Sequence, residues 1–236
     1  MVLDGHCGKS GWTPVAIAIS WEKSGAGGFV AARDDSDDRF IRSLDIGIAI
    51  LAIIFLLPLF LVLACTLAMN GPVVIAHRRV GKGGCAFRCY KFRSMVVDAE
   101  ERLVRLLRDD PEARAEWLRH HKLRNDPRVT PFGRFLRRSS LDELPQFFNV
   151  LRGDMSIVGP RPIVDAEIWR YGRRIANYYS VRPGITGIWQ VSGRSDVEYR
   201  TRVAMDCLYA RSARPTLYLW LVIATVPAVL SRRGSC

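Results

Sequence analysis

The chain of 236 residues has no disulfide framework: Cys7, Cys65, Cys85, Cys89, Cys207 and Cys236 are scattered, and Cys65 falls inside an apolar stretch. Reduced thiols in a cytosolic setting are therefore expected. A zinc pattern is lacking too. Cys85 and Cys89 form a Cys-x3-Cys pair, but no second pair and no His-x3-His follows. The first residues lack a basic flank feeding an apolar run with a small-residue cleavage site, so no secretory signal peptide is expected. Acidic charge is in the minority, with 23 Asp+Glu against 35 Lys+Arg and a formal net charge of +12. This excess implies an anionic partner, which could be nucleic acid, an anionic leaflet or phosphorylated small molecules. A hydrophobic content of 49% excludes wholesale disorder.

Charge is missing altogether from residues 46–76, and residues 46–69 form a solidly apolar run of 24 residues. As a helix this run is about 36 Å long, enough to enter or cross a bilayer. A core helix of a soluble protein rarely runs so far without a polar face. Pro58 sits mid-run, where it removes a backbone hydrogen bond and kinks the helix. The flanks are basic on both sides, with Arg33, Arg39 and Arg42 before and Arg78, Arg79 and Lys82 after. A one-way span should carry its Lys/Arg excess on one side. The symmetry favours a proline-broken helix that dips into the leaflet and returns to the same face, with a simple span as the alternative.

Three regions follow. Residues 1–40, rich in Gly, Ser and Asp, read as a mobile extension, residues 41–72 as the membrane-inserted segment, and residues 73–236 as a domain of soluble character. Within that domain, residues 73–76 and 86–92 read as strands around Gly81-Lys82-Gly83-Gly84. Residues 96–122 have a helical pattern broken at Pro111. Residues 119–138 hold seven Lys/Arg against one acid, Asp126, which suits lipid headgroups better than a merely solvated face. Ser139 or Ser140 reads as the cap of a helix carrying Asp142 and Glu143 in its first turn, with Leu144, Phe147, Phe148 and Leu151 facing the core. Residues 163–179 read as a further helix, and the turn-rich 182–187 leads into a strand at 188–191. Residues 217–230, containing Pro227, are too short to span and read as an interfacial or core-packed helix. The fold class is α/β, mixed and mostly α: a small membrane-surface domain behind a proline-broken, membrane-inserted helix.

The pair Asp142-Glu143 is the first candidate for chemistry. One carboxylate can hold Mg2+, which takes one or two carboxylates plus substrate phosphate oxygens. The other can act as a nucleophile and carry a phosphoryl group. Taken alone, the pair reads more readily as the acidic first turn of an ordinary capped helix. The surroundings favour the chemical reading. Tyr90-Lys91-Phe92-Arg93 places Lys91 and Arg93 on one strand face. Gly159-Pro160-Arg161-Pro162 fixes Arg161 between two prolines, and Arg182 and Arg194 stand beside glycines. Together these residues outline a polyanion pocket opposite one carboxylate pair.

Five runs then stand in order: Lys91-Phe92-Arg93-Ser94-Met95; Leu141-Asp142-Glu143-Leu144-Pro145-Gln146; Gly153-Asp154-Met155-Ser156-Ile157-Val158-Gly159-Pro160-Arg161-Pro162; Arg182-Pro183-Gly184-Ile185-Thr186-Gly187; and Trp189-Gln190-Val191-Ser192-Gly193-Arg194. They resemble the bacterial sugar transferases, the monotopic polyprenyl-phosphate phosphoglycosyl transferases that begin exopolysaccharide and glycan assembly. The resemblance covers roughly residues 40–230 and is nearest the short exopolysaccharide-initiating members.

The resemblance implies a ping-pong reaction in which Asp142 attacks the β-phosphate of a UDP-sugar, releases UMP and passes the sugar-phosphate to undecaprenyl phosphate. It implies Mg2+ held by Glu143 and phosphate binding by Lys91, Arg93, Arg137 and Arg161. It also implies nucleotide-sugar contacts from Arg182, Gln190 and Arg194, support from Asp206, a membrane break at Pro58, and a bacterial inner-membrane location with the catalytic domain on the cytoplasmic face. No nucleic-acid partner is implied. Two departures stand out: Leu57-Pro58 replaces the family's frequent Ser-Pro, and His77 stands where Gln is common. A non-catalytic basic protein binding anionic lipid or nucleic acid, and a metal-dependent phosphohydrolase, are the competing classes.

Overall fold

The computed structural model describes residues 35–120, 123, 126–192 and 197–230. Helix α1 runs Asp35–Ala68 as one 34-residue helix with Pro58 inside it. Asp35, Asp37 and Asp38 in its first turn favour the positive end of the helix dipole, and Asn70-Gly71-Pro72 ends it. Among the described residues this is the one helix long and apolar enough to cross a membrane. Its buried residues are Ile41, Asp45 and Ala49 near one end and Leu63 and Leu67 near the other, each set at four-residue helical spacing. Between Ala49 and Pro58 the helix is largely bare, with Leu51 69% exposed and Phe55 84%, before Leu59 and Phe60 rejoin the core.

Both ends of α1 therefore pack against the same body. At the first end, Asp45 Oδ1 accepts hydrogen bonds from Ser156 Oγ, the Ile157 N–H and the Tyr218 hydroxyl, each at 2.8 Å. Arg42 donates to the Val150 and Leu151 carbonyls at 2.7 and 3.2 Å. At the other end, Leu63 and Leu67 pack with Phe92 and Leu136, and Arg93 Nη2 donates to the Leu67 carbonyl at 3.1 Å.

Strands β1 (Val74–Val80) and β2 (Ala86–Phe92) form an antiparallel hairpin. The first strand continues past Ala76, where its sequence turns cationic, because pairing with β2 carries it on to Val80. Then come α2 (Ala99–Asp109) and α3 (Pro111–His120), divided at Pro111 as expected, and α4 (Pro131–Arg138), whose cap Thr130 accepts from the Gly133 N–H. Helix α5 (Gln146–Arg152) lies on β2 through Asn149. Its side chain accepts from the Tyr90 N–H at 2.9 Å and donates to the Arg88 carbonyl at 2.7 Å.

The second half corrects several expectations. Residues 163–179 are not one helix but short pieces: turns at Asp165–Glu167 and Gly172–Arg174 alternate with α6 (Ile168–Tyr171) and α7 (Ile175–Tyr179). The glycine at 172 takes φ 49°, which interrupts the helix. The expected strand at 188–191 is helix α8 (Ile188–Ser192), and the strand β4 (Gly184–Thr186) lies in the stretch read as a loop. It pairs in parallel with β3 (Ser156–Val158). A side chain does not fit here, since a Cβ on Gly184 would meet the Gly159 backbone at 2.6 Å; tertiary pairing overrides the local turn signal. Helices α9 (Tyr199–Ser212) and α10 (Pro215–Leu230) close the domain. Helix α10 buries Tyr218 and Leu221 and exposes Trp220 and Ile223, so it is both core-packed and apolar on its outer face. Cys65, Cys89 and Cys207 are free thiols as expected, whereas Cys85 is disulfide-bonded, against the expectation of thiols throughout.

Candidate active site

Asp142 and Glu143 do not open an α-helix. They sit in a single 3-10 turn, Leu141–Glu143, squeezed between the end of α4 and the start of α5. Ser139 ends α4 and its hydroxyl donates back to the Phe135 carbonyl at 2.8 Å, so neither serine caps the turn. Ser140 takes φ 57°, the one positive φ at a non-glycine position among the described residues. Such a conformation costs on the order of 1 kcal/mol and is held only where packing over-determines it. Here Leu141 and Leu144 pack onto the cluster of Leu63, Leu67, Phe92 and Leu136, which pins the turn from both sides.

The turn faces the hairpin. Lys91 Nζ donates to Glu143 Oε1 at 2.6 Å and lies 3.7 Å from Asp142 Oδ2, so one ammonium serves both carboxylates. Asp142 is buried at 7% exposure. Burial pushes its carboxyl above the ordinary range, Lys91 pulls it back, and the Glu143 charge pushes it up again. For Glu143 burial acts in the same upward direction, but Lys91, Arg161 and Arg79 outweigh it and hold the carboxyl below its ordinary value. The two neighbours are thus separated into a carboxyl that resists ionisation and one that is firmly anionic. The Glu143 side chain is 32% exposed, and its Oε2 has no protein partner among the described residues.

The hairpin register decides which cations join them. Ile75 opposes Lys91, His77 opposes Cys89 and Arg79 opposes Phe87, so His77 and Arg79 share the face of Lys91. Burial, and then Arg79, Lys91 and Arg137, hold the His77 imidazole below its ordinary pKa. Arg137 approaches from α4, where its Nε donates to Ser94 Oγ at 2.9 Å. That approach depends on Gly133, because a Cβ there would run into the Ser94 carbonyl. Behind the pocket, Asp206 is 4% exposed and accepts from the Tyr171 hydroxyl at 2.8 Å. Burial pushes its pKa up to about 7 against the pull of Tyr171, Trp189, Arg161 and Arg202. The Trp189 indole N–H lies close enough to favour the carboxylate, yet falls short of hydrogen-bonding geometry. Arg202 stacks over the Trp189 ring at 4.8 Å.

The family model for bacterial sugar transferase matches residues 36–232, which takes in α1, the turn and the hairpin alike. This chain belongs to the bacterial sugar transferases. Among its relatives is the undecaprenyl-phosphate galactose phosphotransferase of Salmonella typhimurium, 49% identical over 84% of this chain and 42% of that protein. Another is the exopolysaccharide production protein ExoY of Sinorhizobium fredii, 46% identical over 82% of this chain and 87% of that protein. A third, the UDP-glucose:undecaprenyl-phosphate glucose-1-phosphate transferase of Xanthomonas campestris, is 40% identical over 84% of this chain and 41% of that protein. Against the first and third of these, the chain spans about two fifths of the relative's length.

Within this sugar transferase, the structure gathers some of the expected site residues and disperses others. Asp142, Glu143, Lys91 and Arg137 stand together, with Arg161 close enough to act on Glu143 and Asp206. Arg93 does not share the pocket. It follows the last residue of β2, is 7% exposed, and binds the end of α1. Arg182 also turns elsewhere, donating to the Gly153 carbonyl at 3.1 Å and standing 3.6 Å from Asp38 at the start of α1. Gln190 donates to the Ile185 carbonyl at 3.2 Å, which braces the loop before α8. Arg194, like residues 1–34, lies outside the described residues. Phe148, expected in the core, is 44% exposed and meets the Phe60 ring edge-on at 5.9 Å. Of the basic run at 119–138, Arg128 is buried against Asp126 at 2.7 Å, while Arg134 and Arg138 are exposed. The residue that reading by motif overlooked is Arg79. The alternation Ile75-His77-Arg79, combined with the hairpin register, is the signal that would have found it.

Proposed function

We propose that this sugar transferase moves a hexose-1-phosphate from a UDP-sugar to undecaprenyl phosphate and thereby starts exopolysaccharide repeat-unit assembly. The observation that carries the reading is a buried Asp142 carboxyl beside a Lys91–Glu143 pair, on a strained turn facing cationic strand residues. In the first half-reaction an Asp142 oxygen forms a bond to the β-phosphorus. The bond from that phosphorus to the oxygen bridging to the α-phosphate breaks, and UMP leaves with the electron pair. In the second, a phosphate oxygen of undecaprenyl phosphate attacks the same phosphorus and expels the Asp142 carboxylate, yielding the sugar diphospholipid. Lys91 favours the anionic form of Asp142 and screens it from Glu143, while Arg137 and Arg161 supply charge opposite the transferring phosphate.

Mg2+ belongs to this proposal as well. The described residues hold no group of three metal-ligating side chains, which suits a hard cation that draws most of its ligands from substrate phosphate and water. Glu143, with Oε2 unengaged, is the residue that would hold it, and when bound the cation neutralises phosphate oxygens. The relatives' printed names divide among galactose and glucose, so the hexose identity is carried by neither the motif nor the pair. The membrane reading is a re-entrant α1 on the cytoplasmic face of the inner membrane. Its support is that both helix ends pack on one body while the stretch before Pro58, with Leu51, Ile54 and Phe55 exposed, is largely bare.

The test uses membranes containing the full chain, several UDP-sugars and undecaprenyl phosphate. UMP release, labelled sugar-phosphate trapped on the protein and a labelled lipid product are expected with one donor, and Asp142→Asn should abolish all three. UMP or free phosphate released without any lipid product would instead identify a phosphohydrolase. Retention of full transfer by Asp142→Asn would end the covalent reading.

A further inference from the structure

We propose that Arg79 is the second half of a two-guanidinium clamp that closes, with Arg161, on a substrate phosphate at the Asp142-Glu143 turn. This rests on the phosphoryl-transfer reading above. Three observations converge on it. The strand register puts Arg79 on the face of Lys91, whose ammonium touches both carboxylates. The loop bearing Arg161 is sewn to the residue next to Arg79. The Val80 N–H donates to the Ile163 carbonyl at 2.9 Å, the Tyr178 hydroxyl donates to the Val80 carbonyl at 2.7 Å, and the Ile163 N–H donates to that hydroxyl at 3.3 Å. Buried Pro160 and Pro162 leave Arg161 the exposed residue between them.

Finally, neither the Arg79 nor the Arg161 side chain has a hydrogen bond or ion pair among the described residues. Arg79 is half-buried, and burial and then the Arg161 charge both disfavour its guanidinium. A structural arginine in such a place would have a carboxylate or carbonyl partner. Two guanidiniums with unpaired side chains, both acting on Glu143, with Glu167 acting on Arg79 and Asp206 within reach of Arg161, fit a dianionic phosphate, whose oxygens accept from both forks. The phosphate can belong to the nucleotide donor or to the lipid acceptor, since both present the same oxyanion.

The experiment takes the full chain in detergent with Asp142→Asn as background, so that no turnover occurs, and measures binding of inorganic pyrophosphate, UDP and a short-chain polyprenyl phosphate. Adding Arg79→Gln should weaken pyrophosphate about 10- to 100-fold, the loss of one charged hydrogen-bonding partner. Loss for UDP alone assigns the clamp to the donor, and loss for the lipid phosphate alone assigns it to the acceptor. Loss for both means that one position serves both half-reactions. Without ligand the thermal midpoint should stay level or rise, because a repulsion is removed; Arg79→Lys should keep the charge and recover part of the binding. Unchanged binding of all three probes overturns the clamp, as does a fallen ligand-free midpoint accompanying the loss. Because binding is read in a variant that cannot turn over, failure of the transfer reaction in the wild type would leave this result standing by itself.

Discussion

Replacing Asp206 by asparagine isolates the energetic cost of charging the pocket's deepest carboxyl. In the folded protein burial holds that group near pH 7, whereas an exposed aspartate ionises near its ordinary value of 3.8. Between these limits the folded state keeps a proton that the unfolded chain has lost. Stability from this group is therefore complete below the unfolded value and falls by about 1.4 kcal/mol per pH unit as pH rises, levelling off above 7. From pH 5 to pH 7 the wild type should lose about 2 kcal/mol that the variant keeps, because the amide never ionises and can still accept from Tyr171. For a chain of this size the gap amounts to about 4–8 °C in midpoint temperature. Differential scanning fluorimetry of the two proteins in the same detergent, at several pH values, reads it directly. Contributions from other titrating groups cancel in the difference. Parallel profiles across pH 5–7 would refute the reasoning, since they would mean that Asp206 is ionised throughout and its burial is compensated by Arg161 and Arg202.

Two other predictions concern how the site is held. Gly133→Ala forces a methyl group against the Ser94 carbonyl and should cost about 1–3 kcal/mol. It should also lower transfer activity by displacing Arg137; unchanged denaturation and kinetics would mean that α4 shifts freely. For the membrane segment, single cysteines placed by Ser36→Cys or Asn70→Cys in a chain otherwise lacking cysteine should both react with an impermeant maleimide from the cytoplasmic side. Labelling from opposite sides would establish a span.

Much of the site was legible in the sequence because its residues sit on short motifs. Asp142 and Glu143 are adjacent, so any fold places them together. Lys91 precedes a strand end in a recognisable run, and Asp206 follows the same logic on α9. The conformation of the pair was not legible. Ser139 and Ser140 carry a cap signature, but Leu141 and Leu144 bury themselves on α1 and β2, and that packing forces a 3-10 turn where local propensity favours an α-helix. The strand at Gly184–Thr186 was hidden for a similar reason, since its partner β3 lies far away in the chain.

By itself, the sequence determined that a long uncharged helix with a central proline precedes a basic domain, and that an Asp-Glu pair stands among short runs of cation and glycine. Composition and periodicity carry that information because they act residue by residue. Only the tertiary structure decided how the arginines are divided. Arg93 and Arg182 clamp the two ends of α1, while Arg79, part of an ordinary basic flank in the sequence, shares the strand face of Lys91. Every one of these side chains carries the same charge, so charge cannot assign them. Hairpin register, the Leu67 carbonyl at the end of α1 and the Asp38 carboxylate at its start do.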